Sequence, residues 1–118
     1  MERKGQRVEL DIQHRSVRGW TVITVIGELD LHTSPSLHDE ISSAIAAGAR
    51  SVAVDLSGVG FMDSTALGVL VSASATAKDH GAELCLVGVT GSPARVLALT
   101  GMDDVFQTVD YIEELPNH

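Results

Sequence analysis

The segment Phe61-Met62-Asp63-Ser64-Thr65-Ala66-Leu67-Gly68 sets one carboxylate beside two hydroxyls. Three kinds of chemistry suit such a group, and each makes a different demand. A nucleophilic serine needs a general base held by an acid, and in a hydrolase elbow it stands in G-x-S-x-G. Met62-Asp63-Ser64-Thr65-Ala66 fails at both glycines, and His14, His32, His38, His80 and His118 show no spacing that brings one to Ser64. The chain therefore reads as a binding protein, not an enzyme. Helix capping asks only that Asp63 or Ser64 precede a first turn, where a cap contributes about 1 kcal/mol. Phosphate acceptance asks for an exposed hydroxyl whose modification changes something. A phosphoserine adds about −1.5 to −2 charges and three strong acceptor oxygens. The unpaired N–H groups of a helix start tolerate that anion, so the fold survives. Asp63, with Asp30 and Asp55 expected nearby, repels it, and a partner docked on the neutral hydroxyl loses affinity. Ser64 is the candidate acceptor, with Thr65 as the alternative.

Other segments carry less. Gly88-Val89-Thr90-Gly91-Ser92-Pro93 resembles part of a phosphate loop, but its plainer reading is a tight turn with Ser92 capping a helix before Pro93. Gly60 and Gly68 make no P-loop, since no Gly-Lys-Ser/Thr follows. The histidines and the lone Cys85 lack metal-ligand spacing, and Asp103-Asp104 reads as a solvated pair. No metal or cofactor is expected. Cys85 lies in the apolar run Leu84-Cys85-Leu86-Val87 and reads as a small buried hydrophobe.

A strand and a helix must hold the Asp63-Ser64 pair. Val8, Leu10 and Ile12 alternate with polar residues, as in a half-buried strand. A turn over Ser16–Gly19 leads to a second strand, Trp20–Ile26, ended by Gly27. Residues 27–33 read as a loop, and Ser34 reads as the cap of a helix with Pro35 at its first position and Gly48 as its stop. Ser51–Leu56 reads as a central strand covered on both faces, and residues 57–63 as a loop. A long helix follows over about 64–78, then a strand over 83–87 and a short helix over 93–100. Val105–Val109 reads as an edge strand, and Tyr111–Leu115 as a last helical turn. This order predicts an α/β fold: a mixed sheet of four to five strands with an N-terminal hairpin and three to four helices.

The 118 residues suit a single domain, with residues 1–7 and 116–118 as flexible tails. Apolar residues make up 44% of the chain but aromatics only 3%, so the core must be built from aliphatic side chains. The net charge of −8 disfavours nucleic acid and anionic membranes, and favours a basic partner surface. One cysteine allows no internal disulfide, and neither a signal peptide nor an 18-residue apolar run is present. A cytoplasmic location is expected.

Gly27-Glu28-Leu29-Asp30, Val54-Asp55-Leu56-Ser57 and Phe61-Met62-Asp63-Ser64-Thr65-Ala66-Leu67-Gly68-Val69-Leu70 together resemble the STAS domain, in particular the free-standing bacterial anti-sigma factor antagonists. The likeness spans about residues 8–109. It implies a protein of transcription regulation and stress response. Its unphosphorylated form binds an anti-sigma factor, a serine kinase of the histidine-kinase-like ATPase fold, and so releases a sigma factor. It implies that the kinase phosphorylates Ser64 and that a PP2C-type phosphatase reverses the modification. The partner surface it implies comprises Asp30, Leu31, His32, Thr33, Asp63, Ser64, Thr65, Leu67 and Gly68. Ala66 departs from the pattern, since many members carry glycine there. Two other uses of such a domain stand beside this one: a sensor of a small ligand, nucleotide or lipid, and a scaffold module.

Overall fold

The computed structural model describes residues 10–117. The expected tail over residues 1–7, Val8 at the start of the first strand, and His118 lie outside the described residues. Leu10–Val17 (β1) and Trp20–Leu29 (β2) form an antiparallel hairpin. Its turn is only Arg18-Gly19, both in the left-handed region at φ 50° and 88°. Two residues of that conformation match the twist of the flanking strands. The turn is shorter than the expected Ser16–Gly19 because Ser16 and Val17 still pair with Thr21 and Trp20.

The remaining strands, Ser51–Met62 (β3), Glu83–Val87 (β4) and Gln107–Val109 (β5), add in parallel, giving the order β1-β2-β3-β4-β5. Helices Ser34–Ala46 (α1), Ser64–Asp79 (α2) and Gly91–Leu99 (α3) make the crossovers, and Ile112–Glu114 is a closing 3-10 turn. The mixed five-stranded architecture is the one expected.

Of two expected loops, residues 57–63 are strand as far as Met62 and residues 27–33 as far as Leu29. Gly27 does not end β2, and Leu56 does not end β3. Ile26, Gly27, Glu28 and Leu29 pair with Gly58, Val59, Phe61 and Met62. The pairing shifts register between Thr24 and Ile26 and again between Gly27 and Glu28. Each bulge inserts a residue and breaks the alternation by which a strand is read. The glycines at 27, 58 and 60 strengthened the impression of loop.

Two expected caps also differ. The N-cap of α1 is Thr33, and Ser34 lies inside the helix, fully buried, with no hydrogen-bond partner for its Oγ among the described residues. The N-cap of α3 is Thr90 rather than Ser92. In both cases the helix begins earlier than the proline suggested, since proline is tolerated anywhere in the first turn.

The sheet is covered unequally. On one face Ile23, Val25, Leu29, Val52, Val54 and Leu56 pack under Leu37 and Ile41 of α1 and Leu67 and Leu70 of α2. Small side chains at Ala66, Ala73 and Ala77 line the same side of α2, which lets that helix sit close to the sheet. On the other face Trp20, Val22, Ala53, Cys85 and Val87 gather with Leu115 from the C-terminal segment. That segment is held by Arg18, which donates to the carbonyls of Ile112 and Leu115 at 2.8 and 2.9 Å. The Trp20 indole N–H donates to Pro116 O at 2.8 Å, so the expected tail at residue 116 makes a defined contact.

Cys85 is 1% exposed, and burial, with the Glu83 charge second, pushes its thiol up from 9.0 to about 11. Neutral thiol is therefore favoured in the folded state. Its contribution to stability is full below pH 9 and is lost as pH rises towards 11. Iodoacetamide at pH 8 is expected to leave the native protein unlabelled and to modify Cys85 fully in urea. Rapid labelling of native protein would place the thiol at the surface.

Candidate functional site

Among the described residues β1 partners β2 as far as Gly27 and β4 partners β3 as far as Asp55, while β2 and β3 stay paired to Leu29 and Met62. Beyond Leu29 and Met62 the two chains turn into α1 and α2. Asp63 N–H donates to Leu29 O at 3.1 Å, so the Asp30 loop and the start of α2 are bound side by side.

Each loop is organised by its own aspartate. Asp63 Oδ1 accepts from Thr65 N–H at 2.9 Å and Ala66 N–H at 3.1 Å, satisfying two donors of the first turn. Asp30 Oδ1 accepts from His32 N–H at 2.9 Å and Thr33 N–H at 3.0 Å. These bonds, Thr33's first, hold the Asp30 carboxyl below its usual 3.8 despite an opposing desolvation effect. The Thr33 hydroxyl donates to Glu28 O at 2.6 Å and accepts from Asp30 N–H at 3.0 Å, closing the turn on itself.

With Asp63 as the cap, Ser64 is left as the first residue of α2. Its side chain is exposed, and nothing among the described residues hydrogen-bonds its hydroxyl. Capping and phosphate acceptance, which compete for this pair in the sequence, are thus divided between two residues. Thr65 is also exposed. Gly68 lies one turn further along the side that carries Ser64 and is exposed, with open space where a Cβ would stand. No acid or base that could activate Ser64 bonds to it among the described residues.

The other expected site residues divide by burial. Leu31 and His32 are exposed in the Asp30 turn, whereas Thr33 and Leu67 are 7% exposed and act from beneath, holding the turn and the helix. Ala66 is fully buried. Its methyl faces the core and leaves the Ser64 surface unchanged. Asp55, expected near Ser64, is not there. Seven strand residues separate it from Asp63, roughly 25 Å at strand rise, and it faces the side of the sheet away from the helices.

Sequence reasoning missed several participants. Phe61 and Ile26 are large apolar side chains left 45% and 46% exposed on the paired ends of β3 and β2. They face away from the helices, and Glu28, Phe61's neighbour across the strands, is exposed too. Alternation along β2 sets Ile26 on the face of Trp20 and Val22, so its signal was present, whereas Phe61 fell in the segment read as a loop. Ser92 was read as a cap but serves the site: its Oγ accepts from Met62 N–H at 2.9 Å and donates to Met62 O at 3.3 Å. The start of α3 thereby pins the last strand residue before Asp63. Ser92→Ala is expected to lower stability by about 1 kcal/mol in urea unfolding, with faster amide exchange at Met62 and Asp63. Unchanged exchange there would remove the pinning role.

Comparison with known proteins identifies the family of the fold. Residues 11–115 match the STAS domain. The anti-sigma-B factor antagonist of Staphylococcus aureus is 31% identical over 98 residues, 83% of this chain and 91% of that protein. The anti-sigma-B factor antagonist of Listeria monocytogenes is 32% identical over 85 residues, 72% of this chain and 75% of its own. Among solved structures, an anti-sigma factor antagonist from Mycobacterium paratuberculosis superposes with a TM-score of 0.80 at 25% identity, covering 89% of each chain. Unphosphorylated SpoIIAA superposes at 0.73 with 24% identity, covering 88% of this chain and 90% of that one, which speaks for the fold. The chain belongs to the STAS domain family, with anti-sigma factor antagonists as its relatives.

Proposed function

We propose that this protein is an anti-sigma factor antagonist switched by phosphorylation of Ser64. Its unphosphorylated form binds an anti-sigma factor that is also a serine kinase, of the histidine-kinase-like ATPase fold, and so frees a sigma factor. Phosphorylation of Ser64 by that kinase releases the partner, and a PP2C-type phosphatase restores binding. The contact surface consists of the Asp30 turn, with Leu31 and His32, and the face of α2 that carries Ser64, Thr65 and Gly68. Thr33, Asp63 and Leu67 hold that surface in shape.

The observation that supports this reading best is the exposed, unbonded Ser64 hydroxyl at the mouth of α2. Asp63 already satisfies two first-turn donors, so Ser64 is free to be modified without loss of the cap. The remaining N–H groups of the turn face a new phosphate favourably, and the adjoining Asp63 and Asp30 disfavour it for any partner approaching along this end. SpoIIAA, of the same fold, has been solved in both an unphosphorylated and a phosphorylated form. Among the described residues no helix is long and apolar enough to cross a membrane.

The test is incubation with an anti-sigma kinase, ATP and Mg²⁺, followed by phosphosite mapping. Wild type and Thr65→Ala are expected to take up one phosphate at residue 64, and Ser64→Ala none. Phosphate mapped to another residue would overturn the site assignment.

A further inference from the structure

On the sheet face that carries no α-helix, a cleft of about 490 Å³ opens where β3 and β4 meet the turn after β5. Asp55 lines it from β3. Ala53, two residues earlier on the same strand, packs against that face, and the intervening Val54 packs under the helices, so Asp55 points into the cleft side. Its side chain is buried, with the residue 8% exposed. Oδ1 accepts from Ser57 N–H at 3.0 Å and from the Ser57 hydroxyl at 2.7 Å. No donor among the described residues reaches Oδ2.

Glycine at position 88 is required for this shape. Its φ is +69°, and a Cβ there would stand 2.7 Å from Ser57 Cβ. At the rim stand Thr90, Asp110 and Tyr111, the last 67% exposed. The N–H groups of Asp110 and Tyr111 donate to Glu114 Oε1 at 2.8 and 3.1 Å, which holds that rim in place.

Asp55 Oδ2 is open to the cleft and attracts a cation, and no cationic side chain among the described residues lines it. Asp55 and Asp110 together repel anions, and an apolar guest would leave Oδ2 unsatisfied. The lining offers acceptors on three residues: Asp55 Oδ2, Thr90 Oγ1, and Ser57 Oγ, whose proton goes to Asp55 and whose lone pairs are left free. A compact ammonium carries three donors. A planar guanidinium carries five N–H donors and stacks on an aromatic ring such as Tyr111. We propose that this cleft binds a guanidinium group, with Asp55 as counter-ion, Ser57 and Thr90 as further acceptors and Tyr111 as the stacking ring. The group could come from a free guanidino compound or from an arginine side chain of a protein. Either way the site lies on the opposite face of the sheet from α2 and does not depend on the role of Ser64.

The test is a titration of the full chain with agmatine, Nα-acetyl-arginine amide and Nα-acetyl-citrulline amide, followed by amide NMR shifts of Gly88, Asp110 and Tyr111. Saturable shifts with a guanidino probe and none with the neutral citrulline compound are expected. Saturation by agmatine alone identifies a free small guanidino ligand, and saturation by the arginine amide as well shows that a protein side chain can enter. Asp55→Asn keeps the shape and removes the charge, and is expected to weaken binding at least about tenfold. Because Asp55 is buried, Asp110→Asn and Tyr111→Leu at the exposed rim serve as variants that leave the core untouched, and each is expected to weaken binding. Ser64→Glu is expected to titrate like wild type. Absence of saturable shifts with both guanidino probes, or equal binding of the citrulline compound, would overturn the proposal.

Discussion

Ser64→Glu is expected to bind a cognate anti-sigma factor about a hundredfold more weakly than wild type, a loss of roughly 2.7 kcal/mol of binding free energy. The stability of the free protein should stay within about 0.5 kcal/mol of wild type. The two outcomes have one cause. Glutamate at the first position of α2 faces the unpaired N–H groups of the first turn, where a negative charge is favourable. In the complex the same charge is stripped of water against a surface docked on a neutral hydroxyl, and a charge buried at an interface without a partner is costly. Ser64→Ala separates charge from the loss of the hydroxyl, and it is expected to keep most of its affinity while becoming insensitive to kinase and ATP. Calorimetry with the purified partner, paired with urea unfolding of each variant, reads both quantities. Full affinity of Ser64→Glu would end the switch reading, and equal losses in both variants would point to a hydroxyl-specific contact instead.

Trp20→Ala is expected to cost about 3–5 kcal/mol, a large share of the 5–15 kcal/mol typical of a domain. Trp20 is fully buried and stands at the centre of the cluster on the face without α-helices. Its replacement opens a cavity beside Val22, Ala53 and Cys85 and removes the bond to Pro116 O. Because Trp20 and Arg18 hold the segment after β5, the variant should also release the C-terminal residues to carboxypeptidase before global unfolding. Trp20→Phe keeps most of the volume and loses the N–H, so a cost nearer 1 kcal/mol is expected. Urea denaturation followed by circular dichroism measures both. A loss below about 1 kcal/mol for Trp20→Ala would show that this cluster adds little, and that the helix-covered core alone holds the fold.

The element order was legible in the chain because most elements bury one face and keep the corresponding period. β4 was read at its observed bounds, and α2 to within one residue at its end. Asp63-Ser64 at a helix start was legible as well, since a short polar side chain before an apolar run signals a cap whatever the surroundings. Which of the two residues caps, and which is left free, was not legible. Either oxygen can reach the first-turn amides, and the choice falls out only when the strand ladder delivers Asp63 in extended conformation at φ −110°. Ser92 illustrates the same limit. Its hydroxyl finds Met62, thirty residues away in sequence, rather than its own helix.

What the amino-acid order determined by itself is therefore local: periodicity, turn chemistry, helix starts, and the family signature carried by contiguous motifs. Tertiary structure decided whatever depends on register between distant strands. The pairing of β2 with β3 as far as Leu29 and Met62 brought the Asp30 turn beside Asp63, and two residues inserted in β3 turned Val59 to the face that Leu56 and Met62 share. The same sheet sent Asp55 to the opposite face and away from the site it was expected to join. The physical reason is that a strand's side chains alternate, so one inserted residue reverses the faces beyond it until a second restores them. That insertion is specified by the partner strand, which no local window of sequence contains.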